Sequence, residues 1–257
     1  MTILNEIVKT KKENLRNVNI RALPATDKPK RPLISSLKQA EYPLGVIAEV
    51  KKASPSKGVF TNDFSPEAIA KRYESVHVSG ISVLTDFAYF QGKNADLTAV
   101  KEAVDTPVLR KDFICDEKMI TESDKIGADA VLLIAAILEE RQFAEYYEYA
   151  RELGLEVLTE VHNEKELEQV YKHVFPELVG INNRDLHTFS TDMSITESLA
   201  PLVPDGSFVI SESGIHNAGH IRRLKKAGAG GMLIGEGFML AESPQLFLNQ
   251  LFDGGES

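Results

Sequence analysis

The chain is poor in cysteine, holding only Cys115 among its 257 residues. One thiol excludes a disulfide framework and any multi-cysteine metal site. No neighbouring motif supports Cys115 as a nucleophile, and the shortage suits a reducing, cytoplasmic compartment. Long apolar runs are missing too. None reaches the roughly 18 residues that a membrane span requires, and the first residues, "MTILNEIVKTKKENL", are amphipathic and charged rather than secretory. Positive charge is in deficit: 29 Lys and Arg against 38 Asp and Glu give a formal charge of −9. An acidic chain of this kind is not expected to partner nucleic acid or a membrane surface. A local basic pocket for an anionic metabolite stays open. The six histidines do not cluster. His216 and His220 share "HNAGH", which lacks the glutamate of the zinc-protease helix, so no metal site is expected.

What the chain does have is repetition. Four segments, "VHVSGISVLTD", "SDKIGADAVLLI", "ARELGLEVLTE" and "RLKKAGAGGMLIG", run from a helical pattern through a glycine into a short apolar strand. The glycine reads as a helix stop and the run after it as a strand buried on both faces. The likeness of "GADAVLLI" (127–134) to "GAGGMLI" (228–234) suggests a repeated unit. Four further strands are expected at 45–50, 106–112, 177–182 and 207–213. Eight alternating strand–helix units within about 210 residues predict a TIM (β/α)8 barrel over 45–257. Residues 1–44 read as an N-terminal helical extension packed on the barrel, too short to fold alone. A doubly wound open sheet is the structural alternative. No G-x-G-x-x-G follows the first strand, which counts against a dinucleotide version of it.

In such a barrel the active site stands at the C-terminal ends of the strands. The stretch "VIAEVKKASPSKG" ends an apolar strand in Glu49 and Lys51, then enters a loop holding Ser54, Pro55, Ser56 and Lys57. Further polar strand ends supply Lys111 in "LRKD", Glu160 in "LTEVH", Asn182 and Arg184 in "GINNRD", Glu212 and Ser213 in "ISESG", and Gly235 and Glu236 in "LIGEG". A solvated face would not recur at matching positions on separate apolar strands. Lysines and glutamates crowded in one mouth tune one another for proton transfer. The glycine turns after strands 7 and 8 predict phosphate binding. Phe90, Phe113 and Pro55 lie just past strand ends as candidate pocket walls. No histidine is expected in this ring.

In this order, "IAEVKKASPSKG", "LTDFAYFQG", "LRKDFI", "GADAVLLI", "LTEVH", "GINNRDL", "ISESGI" and "LIGEGFM" resemble the indole-3-glycerol-phosphate synthase family over nearly the whole chain. The resemblance implies conversion of 1-(2-carboxyphenylamino)-1-deoxyribulose 5-phosphate to indole-3-glycerol phosphate, with loss of carbon dioxide and water, in tryptophan biosynthesis. It implies no metal or organic cofactor. Carried over by motif, Lys111 is the acid of ring closure and Lys51 contacts substrate anions and acts as an acid in dehydration. Glu160 is the general base, and Glu49 and Asn182 hold the lysines and substrate hydroxyls. Ser54, Ser213, Gly214, Gly235 and Glu236 form the phosphate and substrate turns, with Arg184 and Glu212 as further substrate-site residues. Pro55, Phe90, Phe113 and Leu132 line an aromatic pocket. Lys57 receives no role, lying in a loop expected to be mobile. Which lysine is the acid in each step stays open. A small phosphorylated substrate and a monomeric chain are expected. Two rivals remain: a sugar-phosphate isomerase or epimerase on the same fold, which needs neither two lysines nor an aromatic slot, and a catalytically dead phosphate-binding barrel, which predicts losses among Glu49, Lys51, Lys111 and Glu160. None of the four is lost.

Overall fold

The computed structural model describes residues 3–15, 19–55, 57–185 and 190–252, so Ser56 lies outside the described residues. Eight parallel strands close into a barrel: β1 (Gly45–Val50), β2 (Gly80–Leu84), β3 (Val108–Lys111), β4 (Ala130–Ile134), β5 (Glu156–Val161), β6 (Leu178–Asn182), β7 (Phe208–Glu212) and β8 (Gly231–Ile234). Each pairs in parallel with its sequence neighbours, and β8 closes onto β1 through Gly45 opposite Gly231. Closure excludes the open-sheet alternative.

Side-chain alternation divides the apolar residues into two cores. Val46, Ala48 and Val50 of β1 face outward with Val131, Leu133, Val179 and Met232, and meet the surrounding helices. Ile47, Leu109, Ala130, Leu132, Leu158, Leu178, Ile210 and Leu233 face inward and fill the barrel. The outer helices start and stop on side-chain signals. Ser65 caps the helix Pro66–Glu74 by accepting from the Ala68 amide, with Pro66 at the first helical position. Gly127 and Gly228 end their helices at φ +93°, as a left-handed cap requires. Gly80 differs. It is the first residue of β2 rather than a helix stop, and a Cβ there would strike Leu33.

That contact belongs to the extension. Helix α1 (Ile3–Leu15) lies toward the C-terminal mouth, where Leu4 and Ile7 reach the cavity described below. Helix α2 (Leu33–Lys38) lies at the opposite end, where Leu33, Ile34 and Leu37 join the inner core and plug the barrel floor. The floor is pinned by polar contacts. Glu156 accepts from the Ile34 amide at 2.8 Å. Buried Asp129 accepts from the amides of Arg31 and Val108, both at 2.7 Å, and from Lys101 Nζ at 2.6 Å.

Candidate active site

The inner alternation changes character near the strand ends. On β1 it runs Ile47, Glu49, Lys51; on β3 Leu109, Lys111; on β5 Leu158, Glu160; on β6 Leu178, Gly180, Asn182; on β7 Ile210, Glu212. The apolar filling therefore carries a charged layer on top. One cavity opens above it, lined by Glu49, Lys51, Ser54, Pro55, Phe90, Lys111, Phe113, Leu132, Glu160, Asn182, Arg184, Ser213, Gly214, Gly235 and Glu236. Of the described residues to which the sequence assigned a site role, Glu212 is absent from this lining, as is Lys57, which received none. Glu212 lies fully buried beneath Lys111 and cannot meet a ligand directly from there.

The charges interlock. Lys51 Nζ lies 2.5 Å from Glu49 Oε1, and Lys111 Nζ lies 3.4 Å from Glu49 Oε2 and 2.9 Å from Glu212 Oε2. Burial alone would raise the Glu49 pKa, but Lys51 and Lys111 outweigh it and hold it at about 2. Burial would likewise strip the proton from Lys111. Glu212, Glu49 and Glu160 reverse that and hold it firmly protonated. Glu212 bears the cost of this crowding: burial, with the charges of Glu160 and Glu49, pushes its carboxyl up to about 7 against the pull of Lys111. Its Oε1 has no hydrogen-bond partner among the described residues. Burial also works against the charge on Glu160, but His162, Lys111 and Asn182 prevail and lower its pKa.

Two glycines make room for this layer. A Cβ on Gly235 would collide with Glu49 Oε1 and Lys51 Nζ, and one on Gly180 would collide with Glu212 Oε1. Gly235 is thus tied to the lysine–carboxylate pair as closely as to any phosphate turn. At the turn after β7, Ser213 and Gly214 both adopt positive φ, +67° and +77°. For a serine this conformation is strained. Asn183 braces the turn, donating from Nδ2 to the carbonyls of Glu212 and Ser213 at 3.0 and 3.1 Å. The rings of Phe90 and Phe113 stand 6.1 Å apart on one wall.

Sequence reasoning missed several contributors. Leu4 and Ile7 come from α1, far away in sequence. The ring also contains histidine, contrary to expectation. His216 lines the cavity, and His162 Nε2 lies 3.2 Å from Glu160 Oε1. The alternation Leu158, Glu160, His162 was the available signal for the second. The loop after β1 is not featureless: Ala53–Ser54 pairs antiparallel with Gly58–Val59, and Lys57 Nζ reaches Glu236 Oε1 at 3.1 Å. Among the described residues, no three His, Cys, Asp or Glu side chains are grouped to hold a metal ion.

Comparison with known proteins identifies the family. The family model for indole-3-glycerol phosphate synthase matches residues 3–251. An indole-3-glycerol phosphate synthase of Geobacillus kaustophilus is 46% identical over 99% of this chain and 100% of its own length. One from Shouchella clausii is 48% identical over 97% of each chain. A solved structure of N-acetylmannosamine-6-phosphate 2-epimerase from Clostridium perfringens superposes with a TM-score of 0.62, covering 90% of this chain and 100% of that one. At 13% identity that likeness establishes the barrel and nothing of its chemistry. The charged layer, the cavity above it and the full-length match together show that the chain belongs to the indole-3-glycerol phosphate synthase family.

Proposed function

We propose that this cavity closes the pyrrole ring of indole-3-glycerol phosphate, with Lys111 as the acid of ring closure and Glu160 as the base of dehydration. The chemistry is that of a carbon–carbon lyase in tryptophan biosynthesis. The observation that carries the assignment is Lys111 Nζ, held 2.9 Å from Glu212 and 3.4 Å from Glu49 at the cavity wall. Burial opposes its charge, but Glu212, Glu49 and Glu160 raise its pKa and favour the protonated form. The anthranilate ring carbon bearing the carboxylate attacks the ketone of the deoxyribulose chain. The alkoxide that develops is a stronger base than a lysine amine, so the proton passes from Lys111 to oxygen. Carbon dioxide then leaves, and its bonding electrons restore the aromatic ring. Dehydration removes the new hydroxyl as water, with Lys51 as proton donor, while ionised Glu160 takes the proton from the neighbouring carbon.

Glu49 bridges the two lysines, pairing with both. Asn182 orients Glu160 and substrate hydroxyls. Arg184, Ser54, Ser213, Gly214, Gly235 and Glu236 receive the phosphate end, with Lys57 offsetting the negative charge of Glu236. Glu212 acts through Lys111 rather than on substrate. Pro55, Phe90, Phe113 and Leu132, joined by Leu4 and Ile7, enclose the anthranilate ring. This reading makes residues 1–44 part of the catalytic unit and the protein a monomer of the cytoplasm.

The test is a fluorescence assay for indole product, with purified protein, 1-(2-carboxyphenylamino)-1-deoxyribulose 5-phosphate and a chelator. Product formation that inorganic phosphate inhibits competitively is expected. No product overturns the assignment.

A further inference from the structure

Beside Glu160 stands an ionisable group to which the reaction above gives no task. His162 follows the last residue of β5 and continues the inward alternation of Leu158 and Glu160. Its side chain is largely buried, with 12% of its surface exposed. Behind it begins helix α3 (Glu164–Tyr171), capped by Asn163. The third residue of that helix, Glu166, is fixed from several sides. Its amide donates to Asn163 Oδ1 at 3.0 Å, and its Oε1 accepts from Asn163 Nδ2 at 2.6 Å. Its Oε2 accepts from the His162 amide at 2.8 Å and stands 3.1 Å from His162 Nδ1. The opposite ring nitrogen, Nε2, points at Glu160 Oε1 from 3.2 Å, out of line for a hydrogen bond.

We propose that His162 is the positioning residue for the base: anchored by Glu166, its imidazolium holds the Glu160 carboxylate ionised and turned toward the cavity. The proposal rests on the reading of Glu160 as the base. A ring with a carboxylate at each nitrogen carries both protons, since either neutral tautomer would set a lone pair against an anion. Burial alone would discharge it, but the two glutamates raise its pKa to about 10. The other groups facing Glu160 do not replace this charge. Asn182 on β6 is neutral. Glu212 on β7 is acidic and repels it. Lys111 on β3 is shared with Glu49 and Glu212. Without His162, Glu160 would have only Lys111, which Glu212 and Glu49 already share, to offset its charge, and it would gain proton affinity.

The experiment is the pH dependence of single-turnover kcat, which reports groups in the substrate complex. In His162→Gln the acid limb is expected to move up by about one pH unit, a roughly tenfold loss on that limb. Recovery to within a few-fold of wild type is expected above it. His162→Leu should shift it at least as far, and Glu166→Gln less, in the same direction. Circular dichroism establishes that each variant is folded. If His162→Leu does not fold, His162→Gln and Glu166→Gln decide. An unmoved limb, or a proportional fall at every pH, overturns the proposal, because a merely structural residue has no reason to act on one limb. Glu160→Gln separates the two levels. If it keeps near wild-type kcat, the base assignment fails and His162 loses its task. If it falls by about 10² or more while the His162 limb is unmoved, only the His162 proposal fails.

Discussion

Strand β3 ends "LRKD", and these residues build two charged clusters on opposite sides of the barrel wall. Arg110 and Asp112 point outward. The Arg110 guanidinium donates to Thr85 at 3.0 Å, the Met119 carbonyl at 2.8 Å, Ser123 at 3.0 Å, Asn94 at 3.1 Å and Glu122 at 3.2 Å. Asp112 accepts from Thr85 at 2.5 Å and pairs with Lys11 of α1 at 2.7 Å. Lys11 also reaches Asp86 at 2.9 Å. Lys111 points inward to a cluster of a different kind, with a carboxyl oxygen left without a partner and a carboxyl forced up to about 7. The outer cluster borders a cavity of its own but leaves none of its buried side-chain donors and acceptors without a partner; the inner one is frustrated where it meets the active-site cavity. Buried charge serves the fold where every donor and acceptor is matched. It serves chemistry where the mismatch awaits a ligand.

Variants on β3 can break this contrast. Arg110→Ala removes the cation paired with buried Glu122 and one of the partners of Asp112, so a loss of about 3–5 kcal/mol is expected. Chemical denaturation measures it, and the fraction that folds should turn over within a few-fold of wild type. Lys111→Ala should do the reverse. A drop in kcat of roughly 10² or more is expected, with a stability change of about 1 kcal/mol or less, because Glu212 can take up a proton instead of remaining an orphaned charge. A large destabilisation by Lys111→Ala, or a catalytic collapse of folded Arg110→Ala, would erase the distinction.

Lys11→Ala sharpens it. The variant leaves Asp112 its bonds to Arg110 and Thr85, so about 1–2 kcal/mol should be lost. Since α1 carries Leu4 and Ile7 to the cavity, KM should rise several-fold with a smaller change in kcat. Steady-state kinetics beside thermal unfolding checks both parts. The smallest effect is on pH-dependent stability. His162 binds its proton more tightly in the folded state than the ~6.5 of an unfolded histidine. Its contribution is complete below that pH and fades as pH rises through about 10. Unfolding free energy should therefore decline across this window in wild type and decline less in His162→Gln.

The sequence exposed the barrel and most of the site for one physical reason. A strand buried on both faces is apolar throughout, so a charge at its end stands out, and the period of two assigns that charge to a side. Glu49 and Lys51 were legible on those grounds. Asn182 and Asn183 test how far the reasoning reaches. They are adjacent and identical, yet one faces the cavity and the other braces β7 from outside, which only the register of β6 decides. Placing Glu212 below the cavity required knowing how deep β7 sits. Gly80 looked like its relatives Gly127 and Gly228, but close packing by Leu33 demanded it, and no local pattern records a contact across that much chain. Leu4 and Ile7 escaped for the same reason.

The floor of the barrel has a consequence for how the chain could be dissected. Leu33, Ile34 and Leu37 fill the inner core from below, and Glu156 and Asp129 hold that segment in place. A polypeptide begun at residue 45 would keep every strand and every residue of the charged layer, yet it would be a cup without a base. Water would enter beneath Ile47, Leu178 and Leu233, and the Asp129 and Glu156 carboxylates would lose partners. Such a truncation should collect in inclusion bodies, and supplying residues 1–44 as a separate peptide should return it to solution.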